Sequence, residues 1–153
     1  MYKNNYKWLY VVLPILFVAV LGSIFVNLGM EWFNNLNKPM QWIPSIVIPI
    51  VWTIIYLTFS IIFVVWINKE KLQKNTKILL IINGVLNVFW CLIFFTFNQT
   101  FLGSIIIILN LIAGFLLFLH IFKNNKKYGL ILFIYPIWIS IATSLNMALW
   151  ILN

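Results

Sequence analysis

Residues 32–56 read WFNNLNKPMQWIPSIVIPIVWTIIY, and they join an aromatic segment to a long apolar run. A connector between membrane-crossing helices is ordinarily short and polar, whereas residues 29–44 combine tryptophans with prolines. Pro39 and Pro44 restrict their own backbone and that of the residues before them, and Trp32 and Trp42 supply flat apolar area. We therefore interpret 29–44, called the aromatic connector below, either as a lid over a pocket or as an interfacial anchor.

The composition places the chain in lipid. Of its 153 residues, 64% are hydrophobic and 8% are charged, whereas soluble domains carry about 25% charged residues. A soluble chain of this length could not bury so much apolar surface. The net charge of +8 comes from lysines scattered in short connectors, which argues against nucleic acid as a partner. The composition predicts an integral membrane protein.

Five apolar stretches follow one another along the chain, and none contains Asp, Glu, Lys or Arg. A transmembrane helix needs about 20 such residues to cross the hydrocarbon core. The predicted spans are 8–28, 45–67, 78–97, 101–122 and 128–152. We therefore predict an all-α fold, with residues 1–153 forming a single domain that is a bundle of five transmembrane helices.

The lysines predict the orientation. Five spans put the two termini on opposite sides, and nine of the ten lysines then fall on the N-terminal side, with Lys38 alone on the other. Positive charge in short connectors marks the cytoplasmic side. We expect a multi-pass protein of the cell membrane with its N-terminus in the cytoplasm. The aromatic connector and the C-terminus would then face outward.

Three of the eight tryptophans lie too deep for the interfacial belt that this residue prefers. At about 1.5 Å per residue, Trp52, Trp90 and Trp138 lie roughly 12 to 15 Å from the nearest span end. A buried indole N–H needs a hydrogen-bond partner, so these side chains should face the interior of the bundle. The belt explains three others: Trp8, Trp66 and Trp150.

Aromatic and amide residues share one face on each of three helices. Each face alone fits ordinary packing, in which asparagine joins helices by hydrogen bonds. Together, with the small Ala142 where a bulky residue would fill space, they predict a pocket in the outer half of the bilayer under the aromatic connector. The predicted lining residues are Trp32, Trp42, Trp52, Tyr56, Asn83, Asn87, Trp90, Phe94, Trp138, Ala142, Leu145 and Asn146.

Residues 32–56 resemble the signature of the tryptophan-rich sensory protein and translocator protein family, once called peripheral benzodiazepine receptors. The matching positions are Trp32, Leu36, Lys38, Pro39, Trp42, Pro44, Trp52, Thr53 and Tyr56. Phe33 replaces the usual tyrosine, and Ser45 replaces a second proline. The segments LNVFWCLIFF at 86–95 and YPIWISIATSLNMALW at 135–150 are similar to the family's third-helix and fifth-helix motifs.

The resemblance implies a five-helix bundle, often a homodimer, that binds tetrapyrroles such as protoporphyrin IX and synthetic isoquinoline or benzodiazepine-type ligands. Bacterial members, of which this chain is predicted to be one, are linked to stress signalling and to light-dependent oxidative breakdown of porphyrin. Animal members bind cholesterol through a fifth-helix stretch. Here LNMALWILN at 145–153 lacks the tyrosine and the basic residue of that pattern, so cholesterol binding by this motif is not expected.

The side chains limit the chemistry. The spans contain no acid, Cys91 is the only cysteine, and His120, the only histidine, lies near the inner end of the fourth span. Hydrolysis, a cysteine metal cluster and haem with an axial histidine are therefore disfavoured, and no metal or required cofactor is predicted. A flat macrocycle held by stacking is favoured.

The residues leave the biological role open. Trp32 and Trp138 are the tentative electron donors to a photo-excited ring. A transporter of tetrapyrroles or similar amphiphiles is an alternative, although we find no internal repeat and no buried charge for ion coupling. A stress sensor acting through a partner is another.

Overall fold

Helices make up most of the chain in the computed structural model, which describes residues 6–40, 43–44 and 46–153. Trp42 of the predicted pocket therefore lies outside the described residues. In chain order, the α-helices are α1 (Leu9–Leu28), α2 (Met30–Asn35), α3 (Val47–Lys69), α4 (Lys74–Cys91), α5 (Thr100–Asn124), α6 (Lys126–Leu132) and α7 (Ile134–Leu152). A single π-helical turn, Leu92–Thr96, extends α4.

Five helical segments are long and apolar enough to cross a membrane. They are Leu9–Leu28, Val47–Lys69, Lys74–Thr96, Thr100–Asn124 and Lys126–Leu152. The described residues contain no strand. The prediction of an all-α bundle of five membrane-crossing helices is confirmed, and the fold is that of a multi-pass membrane protein.

The last span, predicted as one helix over 128–152, is divided into α6 and α7. The helical hydrogen-bond pattern is interrupted at Phe133, between α6 and α7, although the φ of −62° and ψ of −22° at this residue stay helical. Pro136 has no N–H to bond the carbonyl of Leu132, so the hydrogen-bond ladder is interrupted one turn earlier. In the first turn of α7 the missing N–H has no cost, because the first N–H groups of a helix lack intrahelical partners anyway. The division therefore follows from one proline.

The helices form a ring around the bundle axis. Helix α5 packs against α7, α4 and α6, α1 packs against α4 and α3, and α3 closes the ring with fewer contacts to α6 and α7. Helix α1 is the least enclosed, since Val11 and Gly22 are its only buried residues. A loosely held α1 leaves room between itself, α3 and α4.

The two ends of the bundle differ in their charge. At the N-terminal end α1, α4 and α6 begin and α3 and α5 end, whereas at the connector end the directions are reversed. Among the described lysines only Lys38 lies at the connector end. His120 lies at the N-terminal end, where its Nε2 is 3.0 Å from the Thr76 hydroxyl. The orientation in a membrane stays a prediction.

Trp66 contradicts the prediction that it belongs to the interfacial belt. Its side chain is 3% exposed, lies parallel to Phe63 with 5.9 Å between ring centroids, and donates its indole N–H to Glu70 over 2.6 Å. Glu70 follows the last residue of α3. Because this acceptor reaches back from beyond the helix, the indole can be buried without losing its hydrogen bond. Trp8 and Trp150 are exposed, as a belt requires.

Candidate ligand-binding site

The first half of the aromatic connector is helical, because it contains α2. Helix α2 begins after Gly29, where the backbone passes so close to α4 that a Cβ atom would lie 1.9 Å from the Phe95 carbonyl oxygen. Phe33 of α2 is 7% exposed and packs against Phe94 and Phe95. The connector is therefore held over the end of α4 by close backbone approach and by buried aromatic area.

Phe94 is the centre of an aromatic cluster at the connector end. Trp32 meets its ring edge-on at 5.5 Å between centroids, and Trp90 stacks on it at 5.9 Å. The π-helical turn is wider than an α-turn, and within it the neighbouring Phe94 and Phe95 are both buried. Single π-turns of this kind are frequent at functional sites. The turn brings an additional ring into the core beneath Trp32.

Seven of the predicted lining residues surround one small void, called the aromatic pocket below. They are Trp52, Trp90, Phe94, Trp138, Ala142, Leu145 and Asn146, and Phe33, Ile48, Phe95 and Leu149 complete the lining. The void measures about 50 Å³. Helices α3, α4 and α7 and the aromatic connector thus converge as the helical spacing predicts, around a space far smaller than a ligand cavity of several hundred Å³.

Two polar side chains of the aromatic pocket, Trp90 and Asn146, are hydrogen-bonded, whereas a third, Trp138, is not. Trp90 donates its indole N–H to the Asn146 side-chain oxygen over 2.9 Å, and the Asn146 amide donates to the Ser104 hydroxyl over 2.7 Å. The indole N–H of Trp138 is buried and has no hydrogen-bond partner among the described residues. An unpaired buried N–H costs free energy, so Trp138 is a candidate donor to a ligand.

Tyr56, Asn83 and Asn87 do not line the aromatic pocket. They line a second and larger space of about 720 Å³, called the open cavity below, between α1, α3 and α4. Trp52 and Tyr56 stack at 5.6 Å, with Trp52 lining the aromatic pocket and Tyr56 the open cavity. The single predicted pocket is therefore two spaces, separated by about one layer of side chains.

Buried polar residues that sequence reasoning missed join the helices beside these spaces. The Tyr135 hydroxyl lies 2.9 Å from the Asn83 side-chain oxygen and 3.3 Å from that of Asn110, linking α7 to α4 and α5. Asn110 and Ser104 interrupt the apolar run of α5, and this interruption is the feature of the sequence that could have indicated buried polar contacts. Tyr135 could have been predicted to face inward, because it lies one turn before Trp138 on the same face of α7.

Comparison with known proteins agrees with the arrangement of helices and tryptophans. Residues 10–151 match the model of the TspO/MBR family. The chain is 28% identical over 152 residues to the tryptophan-rich protein TspO of Archaeoglobus fulgidus, covering 98% of this chain and 99% of that protein. The chain is also 30% identical over 140 residues to the tryptophan-rich protein TspO of Chlorobaculum tepidum, and the match covers 89% of each chain. The protein CrtK of Rhodobacter capsulatus is 24% identical over 126 residues, 80% of this chain and 78% of that one. The chain belongs to the TspO/MBR family.

Proposed function

We propose that this protein binds a tetrapyrrole, represented by protoporphyrin IX, in the aromatic pocket and promotes its light-dependent oxidation. The observation that carries the proposal is the convergence of one tryptophan from each of three helices, with Phe33 of the connector, around one void. Trp32 packs on Phe94 beside that void, and the indole N–H of Trp138 in it has no partner among the described residues. Aromatic faces bind a flat ring by stacking and area burial. An acceptor atom on the ligand would satisfy Trp138.

A macrocycle can enter only if the aromatic pocket opens. The void of about 50 Å³ is bounded on the connector side by Phe33, with the half-buried Trp32 packed on Phe94 next to it. In the described part of residues 36–46, which follow α2, the chain forms no helix. We infer that residues 36–40 and the Trp32 ring move outward, so that the ligand replaces the ring contacts that Trp32 makes. The aromatic connector then acts as a lid.

The oxidation needs light, an indole and dissolved dioxygen. The excited ring takes an electron from Trp32 or Trp138, and the reduced ring combines with dioxygen. The oxidised indole regains its electron from that adduct, so the net change is addition of dioxygen to the tetrapyrrole. The protein supplies an oxidisable side chain beside the ring and a pocket that holds the two together. Isoquinoline and benzodiazepine-type ligands, which are also flat and apolar, are expected to compete for the same pocket.

Transport of tetrapyrroles is the second candidate. The aromatic pocket lies at the connector end, whereas the open cavity extends to Lys77 at the N-terminal end, so two spaces lie in series across the bundle. Flux of protoporphyrin IX into proteoliposomes in darkness would favour this role, and its absence would favour binding with oxidation. The homodimer stays a prediction that the mass of the detergent-solubilised protein would test.

Substitution of Ala142 tests the location of the reaction. Ala142 lines the aromatic pocket, so Ala142→Phe should fill it and lower affinity there at least tenfold, which is about 1.4 kcal/mol. At protoporphyrin concentrations below saturation, the rate of light-driven absorbance loss should fall by the same factor. Ala148→Phe adds the same bulk on α7 outside the pocket lining and should keep the rate of the parent protein. An unchanged rate in well-folded Ala142→Phe would place the reaction elsewhere.

A further inference from the structure

The open cavity is large, mostly apolar and open on one side of the bundle. Its volume of about 720 Å³ lies within the range of small-molecule and cofactor sites. Tyr10 and Phe17 of α1 and Ile81 of α4 line it and are 75%, 65% and 65% exposed. The cavity therefore opens where α1 and α4 face the surroundings, and a ligand could enter it from the membrane without passing the aromatic connector.

A basic side chain stands at the N-terminal end of the open cavity. Lys77, in the first turn of α4, lines the cavity, and its ammonium forms no hydrogen bond or ion pair with any described residue. Lys38 at the connector end is engaged, because its ammonium donates to the Asn34 carbonyl over 3.1 Å and lies 4.8 Å from the centroid of the Phe33 ring. Among the described residues that line the open cavity, the cation available to a ligand's carboxylate is therefore Lys77.

Unpaired polar side chains lie deeper in the open cavity. Asn87 is 6% exposed, and within the described part of the chain neither its amide nor the hydroxyl of Tyr56 has a hydrogen-bond partner. Both line the cavity. A buried amide without a partner is costly where water is excluded. Asn87 lies ten residues beyond Lys77 on α4, which is about 15 Å along the helix axis. The ligand that fits has an anion at one end and hydrogen-bonding atoms well inside its apolar body.

We propose that the open cavity is a second binding site, selective for a flat carboxylated amphiphile of the tetrapyrrole class. Its carboxylates pair with Lys77, and its ring nitrogens meet Asn87 and Tyr56. The inference rests on the proposed function for the ligand class, but it assigns a different site. The acyl chain of a lipid would fill the same volume, but it would leave Asn87 and Tyr56 unpaired.

Comparing protoporphyrin IX with its dimethyl ester distinguishes binding in the open cavity from binding in the aromatic pocket. In darkness, the parent protein should bind protoporphyrin IX in two classes of site. Its dimethyl ester, which lacks carboxylates, should lose at least tenfold in affinity at one class. Lys77→Gln should weaken the same class for the free acid at least tenfold and make acid and ester equivalent there. Lys71→Gln, an exposed lysine outside the cavity lining, should behave as the parent does.

The outcomes distinguish this proposal from the proposed function. A single class of site that is insensitive to Lys77→Gln, with light-driven decay, would overturn the open-cavity site and leave the aromatic pocket standing. Two classes with unchanged acid preference in Lys77→Gln would also overturn it. Two classes that respond to Lys77→Gln, without light-driven decay, would support the open cavity and contradict the oxidative role. No binding of protoporphyrin IX at all would refute both.

Discussion

The aromatic pocket and the open cavity both have mostly apolar linings that include asparagine, yet one is small and the other is large. The aromatic pocket has a void of about 50 Å³ and the open cavity one of about 720 Å³. At the connector end, Phe33 packs on the rings of α4, and the Trp90–Asn146–Ser104 hydrogen bonds join α4, α7 and α5. The difference indicates that the size of each space depends on how closely the surrounding elements are held together.

Among the described residues, the N-terminal end has no comparable cover over α1. Residues 70–73 join α3 to α4, and Asn125 alone lies between α5 and α6, so no connector there is long enough to fold back as α2 does. The polar contacts among the described residues at that end hold α4 to α5, through His120 with Thr76 and Gln73 with Asn124. Helix α1 is left to pack through apolar contacts, and the cavity beside it stays open.

The largest effect should come from chemical labelling, which tests whether the two ends lie on opposite sides of the membrane. Asn35 at the end of α2 and Asn75 in the first turn of α4 are both exposed. In a Cys91→Ser background, a cysteine at position 35 should react with an impermeant reagent in intact cells, and one at position 75 should react only after lysis. Labelling of position 75 in intact cells would reverse the predicted orientation.

A smaller effect, on stability, should distinguish an alanine at Gly29 from an alanine beside the open cavity. The φ of Gly29 is −103°, which alanine can adopt, so the backbone contact with Phe95 alone opposes Gly29→Ala. We expect it to lower the free energy of unfolding by at least about 2 kcal/mol, because a backbone carbonyl cannot yield as a side chain can. The measurement is unfolding in mixed micelles at increasing denaturing detergent.

Gly84→Ala beside the open cavity is the matched control for Gly29→Ala. Its Cβ would approach the Cγ2 atom of Val18, a mobile side-chain end, to 3.1 Å. The higher helix propensity of alanine, about 1 kcal/mol, offsets that contact, so stability should stay within about 1 kcal/mol of the parent. Equal losses in the two variants would mean that the connector end is no more tightly packed than the cavity.

The sequence predicts the helices and the residues that converge better than it predicts the spaces between them. Trp138 and Ala142 meet Trp52 because helical periodicity places each on an inward face. Whether those faces enclose 50 or 720 Å³ depends on how closely helices pack, which periodicity does not encode. No feature of the amino-acid composition indicates the π-helical turn that buries Phe95. The burial of Trp66 depends on a hydrogen-bond acceptor, Glu70, that lies beyond the end of its helix.

The central claim is that Trp32 and Trp138 both stack on the bound ring and donate an electron to it. Light-driven decay of the porphyrin absorbance at saturating ligand tests this claim most directly. Trp32→Phe and Trp138→Phe should bind protoporphyrin IX within a few-fold of the parent in darkness, near micromolar or about −8 kcal/mol, because stacking survives the change. Under fixed illumination they should degrade it more slowly, since phenylalanine is far harder to oxidise. Trp150→Phe, on the exposed side of α7, should match the parent. Decay at the parent rate in both Trp32→Phe and Trp138→Phe would contradict the account and leave these tryptophans as packing and lid.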